Sequence, residues 1–357
     1  MAPISAKQLN MGLKILNSNI NSKAFPYKLN FATTYWCNSK CNHCSIWKKR
    51  PKNEMTLDEI RSFAQNNGFF SWVNMTGGEP FLRRDITGIA QAFAENSRNL
   101  YLMNITTNCF NPDYIVSKVR ELLSLKIPRF ITVVSLDGDK ETYKEVRGVD
   151  WYDKVIETYK ALKALAGEHN RFDAFFGYTI NPFNQGKFNR TFAALKDSVP
   201  GIRAADVHVN IFHTSQHYYD NMSPKTDYEL YKKSVLAELE EIEKIKQSNV
   251  LSPIGFLEER YVHFAKQYIA TGKTPMTCKA LSTSVFVDPW GNVFPCTIYG
   301  RILGNLRKND FSLQKILFSE FSNQTKREIN ELKCPNCWTP CEAYQMMLAN
   351  MGKTIKP

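Results

Sequence analysis

The chain has 357 residues, of which 43% are hydrophobic and 13% aromatic, with a formal net charge of +12. This composition can build one large domain and a smaller one, and it excludes a low-complexity chain. No uninterrupted run of about 18 apolar residues is present, which excludes a membrane-spanning helix. The basic charge favours an anionic cofactor, substrate or partner. The N-terminus lacks a signal-peptide pattern, so we expect a cytoplasmic protein.

Residues 1–28 are predicted to form a helical segment. Apolar residues recur there at helical spacing, and lysines lie on other faces: Leu9, Leu13, Leu16 and Ile20 form the stripe, with Lys7 and Lys14 outside it. A helix that covers one end of the core is the main interpretation of this pattern. An amphipathic helix in contact with a membrane surface is the alternative.

From residue 29 to about 212, strand and helix patterns alternate. Six apolar or β-branched runs lie at 29–36, 71–76, 99–107, 130–136, 173–180 and 205–212. Six such β/α units predict a parallel sheet with helices outside it, and chemistry in such sheets occurs at the carboxyl ends of the strands.

Several helix starts are marked by capping residues. Thr56 and Glu59 form a capping box, Asn111 and Pro112 supply an N-cap and a first-turn proline, and Asp150 can cap the next long helix. A second capping box at 226–229 begins a helix that ends near Gln247. Its core-facing residues are expected to be Leu230, Val235, Leu239, Ile242 and Ile245.

Eight of the nine cysteines fall in two groups, and Cys109 is predicted to be a buried small hydrophobe. In a reducing cytoplasm such groups indicate metal ligands rather than disulfides. The first group is Cys37, Cys41 and Cys44, in a short loop after the first strand. Three soft thiolates can hold three irons of a four-iron cluster and leave one iron open. A zinc knuckle is the alternative, and no second ligand pair lies nearby to complete it.

A second motif, Gly77-Gly78-Glu79-Pro80, follows the second strand. Glycines let a backbone edge lie close to a ligand, and a glutamate can accept a hydrogen bond from an ammonium group. Without the cysteine loop, this motif would indicate only a turn with an exposed carboxylate.

The second cysteine group lies near the C-terminus and contains Cys278, Cys296, Cys334, Cys337 and Cys341. A turn at 288–292 predicts a hairpin between 285–287 and 293–294, which would bring Cys278 close to Cys296. Cys334 and Cys337 then supply two adjacent ligands.

These motifs resemble those of the radical S-adenosylmethionine (SAM) superfamily, and the resemblance covers residues 29 to about 345. It implies an α/β fold with a partial (β/α)6 barrel at 29–250, a bridging segment at 251–275 and a cluster domain at 276–357. The C-terminal cysteines resemble SPASM and twitch extensions. The full SPASM pattern has seven cysteines and two clusters. With five, we expect one auxiliary 4Fe-4S cluster and favour Cys341 as the spare thiol; a structural zinc site is the alternative.

The resemblance also implies roles for individual residues. Cys37, Cys41 and Cys44 would hold the 4Fe-4S cluster that binds SAM, and Glu79, with Gly77 and Gly78, would bind the SAM amino group. The remaining SAM-binding residues are expected to be His43 beside the adenine, Thr107, Asn108, Ser135 and Asp137 along the ribose and methionine, and Arg147 at the carboxylate.

The activity implied is reductive cleavage of SAM to a 5′-deoxyadenosyl radical, which abstracts hydrogen from a substrate C–H bond. An electron donor of the flavodoxin or ferredoxin type is expected. Only 36 residues precede Cys37, too few for a leader-binding domain, which slightly favours a small molecule, lipid or cofactor precursor over a peptide or protein. His213, His217 and Tyr218 are expected to line the substrate site. A non-catalytic zinc protein that binds nucleic acid is the rival of another class. The Gly-Gly-Glu-Pro motif and the lack of a basic stripe interleaved with aromatics count against a nucleic-acid partner.

Overall fold

The computed structural model describes residues 5–21, 24–222, 228–246 and 253–356. Six strands follow one another along the first part of the chain: β1 (Lys28–Thr34), β2 (Trp72–Gly77), β3 (Leu102–Thr107), β4 (Arg129–Ser135), β5 (Phe172–Ile180) and β6 (Val207–Ile211). Each pairs in parallel with the next. The predicted six-stranded parallel sheet is therefore confirmed.

Helices connect these strands and cover the outside of the sheet: α2 (Leu57–Asn66), α3 (Ile86–Asn96), α4 (Pro112–Ser124), α5 (Lys140–Arg147), α6 (Tyr152–Glu168) and α7 (Phe188–Ser198). The capping box at Thr56 and the N-cap at Asn111 are confirmed. The Asp150 cap was wrong, because Trp151 occupies the cap position and Asp150 instead pairs with Lys144 at 2.8 Å.

Two long helices follow, α8 (Tyr228–Lys246) and α9 (Pro253–Thr271), and they pack against each other. The capping box predicted at 226–229 begins outside the described residues. Val235, Leu239 and Ile242 are buried as expected, whereas the prediction for Leu230 was wrong, since it is 64% exposed. The predicted bridging segment, 251–275, contains helix α9, and this helix also contacts β6.

The C-terminal region continues the same sheet. Its strands are β7 (Ser284–Val287), β8 (Asn292–Phe294) and β9 (Gly304–Asn305), and its helices are α10 (Leu313–Leu317), α11 (Glu320–Asn330), α12 (Pro340–Leu348) and α13 (Met351–Ile355). β7 pairs in parallel with β1, and β8 returns antiparallel as the predicted hairpin. The sheet order is β6-β5-β4-β3-β2-β1-β7-β8-β9. The two cysteine regions are therefore joined by backbone hydrogen bonds.

The N-terminal helix α1 (Ala6–Ile20) lies beside the amino end of β2, where the Lys14 ammonium donates to the Ser71 hydroxyl at 3.0 Å. Met11 and Ile15 face the protein and are half-buried, and Ser18 is buried. The predicted stripe points outward instead, so the expectation that it covers the core was wrong. None of the described helices is both long enough and apolar enough to cross a bilayer.

Candidate functional site

The loop that carries the first cysteine group leaves β1 at its carboxyl end. The carboxylate of Glu54 accepts hydrogen bonds from the Tyr35 amide at 2.7 Å and the Thr34 hydroxyl at 2.8 Å. It thereby fixes the chain just before Cys37. Glu54 is not among the site residues predicted from the sequence, and its only signal there is that it is the first acidic residue of the chain.

Gly77, the last residue of β2, and Gly78, which follows it, bring the cysteine loop and the second strand into contact. The Gly78 amide donates to the Thr34 carbonyl and the Glu79 amide donates to the Trp36 carbonyl, each at 2.8 Å. A Cβ atom on Gly78 would lie 2.2 Å from the Trp36 oxygen, and one on Gly77, whose φ is +132°, would lie 2.2 Å from the Thr34 oxygen. Only residues without a Cβ atom therefore allow the cysteine loop to lie this close to the end of β2.

Asn108, which follows β3, holds the same loop from the other side. Its side-chain amide donates to Asn38 at 2.7 Å and to the Ser39 hydroxyl at 3.0 Å, and it lies 4.0 Å from the Cys37 sulfur. Thr107, the last residue of β3, accepts a hydrogen bond from the Cys109 amide. Cys109 is buried, as predicted.

Glu79 is buried and accepts two backbone hydrogen bonds, from the Asn108 amide at 2.6 Å and the Phe81 amide at 3.2 Å. Burial raises the pKa of the Glu79 carboxyl to about 7, and the two amides oppose that rise. A cation placed next to Glu79, such as an amino group, would favour the ionised carboxylate.

Arg147, at the end of α5, lies next to the cysteine loop. Its Nε is 2.8 Å from the buried carboxylate of Asp137, and its Nη1 donates to the Cys41 sulfur at 3.6 Å. An arginine has five N–H donors, so both contacts leave donors for another anion. Ser135, the last residue of β4, is half-buried and pairs with Gly177 of β5.

His43 lies between the second and third cysteines, close to the charges of Asp137 and Arg147. Burial lowers the pKa of its imidazole to about 4, so the ring is neutral near pH 7. Its Nδ1 is buried without a hydrogen-bond partner among the described residues. A buried, unpartnered ring nitrogen is a feature that a bound ligand can satisfy.

The three thiols of the loop lie within electrostatic range of one another. Burial is the main cause that raises the pKa of Cys37 and Cys44 to about 12, and the neighbouring Cys41 adds to both. Buried thiols with raised pKa values become thiolates when they ligate a metal, which supplies the missing positive charge. The donor set therefore fits an iron–sulfur cluster.

Most of the second cysteine group lines one small cavity. Four of its thiols, Cys278, Cys296, Cys334 and Cys337, are among the lining residues, and the other lining side chains are mostly apolar. Among the described residues no three potential ligands surround a single ion position. Four thiols around one cavity match the donor set of an auxiliary iron–sulfur cluster.

Cys341 does not line that cavity. Its thiol is placed near Thr339, Thr297 and the ammonium of Lys28, which counteracts the rise in pKa that burial causes. Its carbonyl accepts a hydrogen bond from Lys28 at 2.9 Å. This placement is consistent with Cys341 as the spare thiol.

Residues 213–219, here called the connecting segment, contact both cysteine groups. The Ser45 amide donates to the Tyr219 carbonyl at 2.8 Å, next to the first group. His217 Nε2 lies 3.1 Å from the Cys296 carbonyl oxygen, and the Trp338 amide donates to His213 Nε2 at 2.9 Å, next to the second group. Both histidines are therefore largely engaged with protein atoms.

Tyr218 belongs to the same segment and contacts the Gly-Gly-Glu-Pro motif. Its hydroxyl lies 2.8 Å from the Thr76 hydroxyl and 3.3 Å from the Gly77 carbonyl oxygen. The structure brings Tyr218 together with the first cysteine group and the glycine motif, whereas the two histidine rings lie against the second group.

Three thiols lie at the carboxyl end of the parallel sheet, and four more line one cavity in the C-terminal region. These two sets of thiols define an iron–sulfur protein. The sequence profile of the radical SAM superfamily matches residues 31–185, and that of the SPASM iron-sulfur cluster-binding domain matches residues 278–338. The chain therefore contains a radical SAM domain followed by a SPASM domain. The cofactors of this class are a 4Fe-4S cluster that binds SAM and an auxiliary iron–sulfur cluster.

The curated proteins that the chain resembles include two GTP 3',8-cyclases. The one from Pasteurella multocida is 27% identical over 180 residues, covering 48% of this chain and 50% of that protein. The one from Edwardsiella ictaluri is 31% identical over 158 residues, covering 42% and 44%. The chain spans about half the length of the curated relatives it matches.

Two solved structures show the same fold. Streptococcus suis SuiB bound to S-adenosylmethionine has a TM-score of 0.58 at 17% identity, covering 88% of this chain and 70% of that one. The protein anSMEcpe with bound AdoMet also has a TM-score of 0.58 at 17% identity, covering 92% and 98%. At this identity the likeness extends to the fold alone.

Proposed function

We propose that this chain is a radical SAM enzyme whose catalytic cluster is held by Cys37, Cys41 and Cys44. The observation that carries the proposal is the convergence of these thiols with the glycine motif and with Arg147 at the carboxyl ends of the strands. When bound, the cluster supplies one electron that cleaves SAM to methionine and a 5′-deoxyadenosyl radical, which takes hydrogen from a substrate carbon. The cofactor performs the difficult chemistry, and the protein binds and positions it.

The residues around the loop have separate tasks in this proposal. Glu79 accepts hydrogen bonds from the SAM amino group, and Arg147 donates to the carboxylate through N–H groups that Asp137 and Cys41 leave available. The neutral ring of His43 packs beside the adenine. Asn108 keeps the cysteine loop in place, and Thr107, Ser135 and Asp137 line the remaining length of SAM.

The substrate class that we propose is a small anionic molecule. The chain carries a net charge of +12, and it shares 27–31% identity over part of its length with enzymes named for GTP. Hydrogen-bonded polar side chains line part of the inner face of the barrel, where the half-buried Trp72 donates to the half-buried Asn104 at 2.6 Å. Such a face suits a polar molecule.

A peptide substrate is the second candidate. Solved structures of the same fold include SuiB bound to its precursor peptide SuiA and anSMEcpe with a bound Cp18Cys peptide. For either substrate we propose a cytoplasmic enzyme that receives its electron from a flavodoxin- or ferredoxin-type donor.

The activity is tested with anaerobically purified, reduced protein. Wild-type protein should convert SAM to methionine and 5′-deoxyadenosine, and a variant with Cys37, Cys41 and Cys44 all changed to Ala should not. Cys109→Ala removes a buried thiol outside both groups and should keep the activity. 5′-Deoxyadenosine formed by the triple variant would disprove the assignment of the catalytic cluster.

The substrate class is tested by adding either the small-molecule filtrate or the peptide fraction of a cell extract to the reduced enzyme. The small anionic class predicts that the filtrate, and within it the material retained on an anion exchanger, raises 5′-deoxyadenosine formation above the uncoupled rate. Stimulation by the peptide fraction alone would favour the second candidate.

A further inference from the structure

The outward face of α1 carries a continuous apolar stripe, here called the N-terminal stripe. Its four members are separated by four, three and four residues, which places them on one side of the helix. Their side chains are largely exposed: Leu9 59%, Leu13 56%, Leu16 56% and Ile20 87%.

Polar contacts fix the helix with this stripe toward solvent. The Lys14 ammonium donates to the Phe69 carbonyl at 2.5 Å and to the Ser71 hydroxyl at 3.0 Å. At the other end, the Asn19 amide donates to the Leu348 carbonyl at 2.8 Å. Burying the stripe in the core would require these contacts to break, so its exposure is built into the fold.

The C-terminal helix α13 extends the apolar surface at the end of α1. The Met351 amide donates to the Asn19 side chain at 3.0 Å, which holds the two helices side by side. Met351 is 38% exposed and Ile355, one turn further on, is 54% exposed.

The two helices that form this surface carry lysines and no carboxylates: Lys7 and Lys14 on α1, and Lys353 on α13. Residues 343–357 include Lys353 and Lys356 and no Asp or Glu. Residues 1–23 contain no Asp or Glu either, and they carry Lys7, Lys14 and Lys23. The charge argues against a second copy of the chain on the stripe, because two such basic surfaces would repel each other.

We propose that the N-terminal stripe docks the protein on the surface of a bilayer that contains anionic phospholipid. An amphipathic helix with an apolar side and lysines around it binds in the interfacial plane, and each nearby lysine adds electrostatic attraction to anionic headgroups. The helix lies at the amino ends of the strands, whereas the cysteine loop leaves their carboxyl ends. Docking would therefore leave the catalytic end facing away from the bilayer. The proposal does not depend on the reaction catalysed.

Flotation of the full chain with vesicles tests the proposal. Wild-type protein should float with vesicles of phosphatidylcholine plus phosphatidylglycerol, less with phosphatidylcholine alone, and less at high salt. Leu13→Glu with Leu16→Glu should lower the partition coefficient by at least about tenfold, because two inserted side chains are lost. Ile302→Glu is the matched control, since Ile302 is 53% exposed in another part of the molecule.

A second pair, Leu9→Gln with Ile20→Gln, must also weaken binding, which keeps the test decisive if the first variant is poorly folded. Wild-type protein that fails to float with anionic vesicles would overturn the proposal. So would variants that bind as well as wild type. A dimer in sedimentation that the Leu13→Glu and Leu16→Glu changes dissociate, without vesicle binding, would assign the stripe to an interface between copies.

Discussion

At the scale of single residues, Gly78 shows how little space separates the second strand from the cysteine loop. Ala at this position would place its Cβ 2.2 Å from the Trp36 oxygen and 3.1 Å from the Cys37 Cβ, so the loop would have to move. We expect Gly78→Ala to lose the catalytic cluster and keep the auxiliary one. Iron per chain should fall from about eight to about four, at four irons per cluster.

The control for this substitution is Gly167→Ala. Nothing lies within 4 Å of the Cβ that it would add, and Gly167 is inside α6, where Ala is the better helix former. It should keep both clusters and full SAM cleavage. A Gly78→Ala protein with a full iron content would show that the loop tolerates the displacement.

The thiol of Cys341 allows a second prediction at this scale. Since four other thiols line the cavity, Cys341→Ala should retain the auxiliary cluster, whereas Cys334→Ala should lose it or make it labile. Mössbauer spectra and iron counts of the anaerobic proteins report the difference. If Cys341→Ala loses the cluster and Cys334→Ala does not, Cys341 is the fourth ligand.

At the scale of elements, Glu238 joins α8 to the start of α7. Its carboxylate accepts from the Gly186 and Phe188 amides, both at 2.8 Å. Glu238→Ala would leave both donors without this acceptor and should lower the free energy of unfolding by about 1–3 kcal/mol. Chemical denaturation measures this, with the exposed Glu240→Ala on the same helix as the control.

The same substitution should have a pH-dependent effect. Burial raises the pKa of the Glu238 carboxyl to about 6, from 4.5. The folded state therefore binds the proton more tightly, and this contribution is fully present below pH 4.5 and is lost as the pH rises through about 6. Glu238→Ala should cost about 1 kcal/mol more at pH 5 than at pH 7. A cost that is equal at both pH values would contradict the raised pKa.

The connecting segment was expected to line the substrate site, whereas its observed contacts are with other parts of the protein. His213 and His217 were expected at the substrate, and the structure places their rings against Trp338 and Cys296 of the C-terminal region. The Tyr218 hydroxyl reaches the glycine motif. Substrate contact by these three residues stays a prediction. Tyr218 is the one that lies nearest to the Gly-Gly-Glu-Pro motif.

At the scale of the whole molecule, the two cysteine regions share a buried polar network. Glu342 of α12 accepts from Asn30 of β1 at 3.2 Å and from Ser284 of β7, and Lys28 lies close enough to interact electrostatically. Glu342→Ala would leave these groups buried without their anionic partner, which typically costs about 3–5 kcal/mol. Chemical denaturation of the anaerobic protein should show this loss.

The network also predicts cooperativity, because β1 pairs with both β2 and β7. We expect barrel and cluster domain to unfold in one transition in wild type and variant. The control is Glu331→Ala, which removes a solvent-exposed ion pair with Lys333 and should leave the free energy of unfolding nearly unchanged. Two separate transitions in the wild-type protein would show that the shared sheet does not couple the regions.

Short-range patterns in the sequence were sufficient for the fold class and for the two groups of thiols. Strand and helix periods, the caps at Thr56 and Asn111 and the 288–292 turn depend on neighbouring residues, so they were predicted correctly. The cysteine spacing and the Gly-Gly-Glu-Pro motif are local for the same reason.

Contacts between distant parts of the chain were decided only by the tertiary structure. Glu54 anchors the residues before Cys37, and β7 pairs with the edge of β1. No pattern of neighbouring residues indicates either of these two contacts. The α1 stripe has the period of a buried helix, yet Lys14 and Asn19 turn it outward by binding carbonyls far away in the sequence. Periodicity determines which residues share a face, whereas the partners that a fold supplies determine which way that face points.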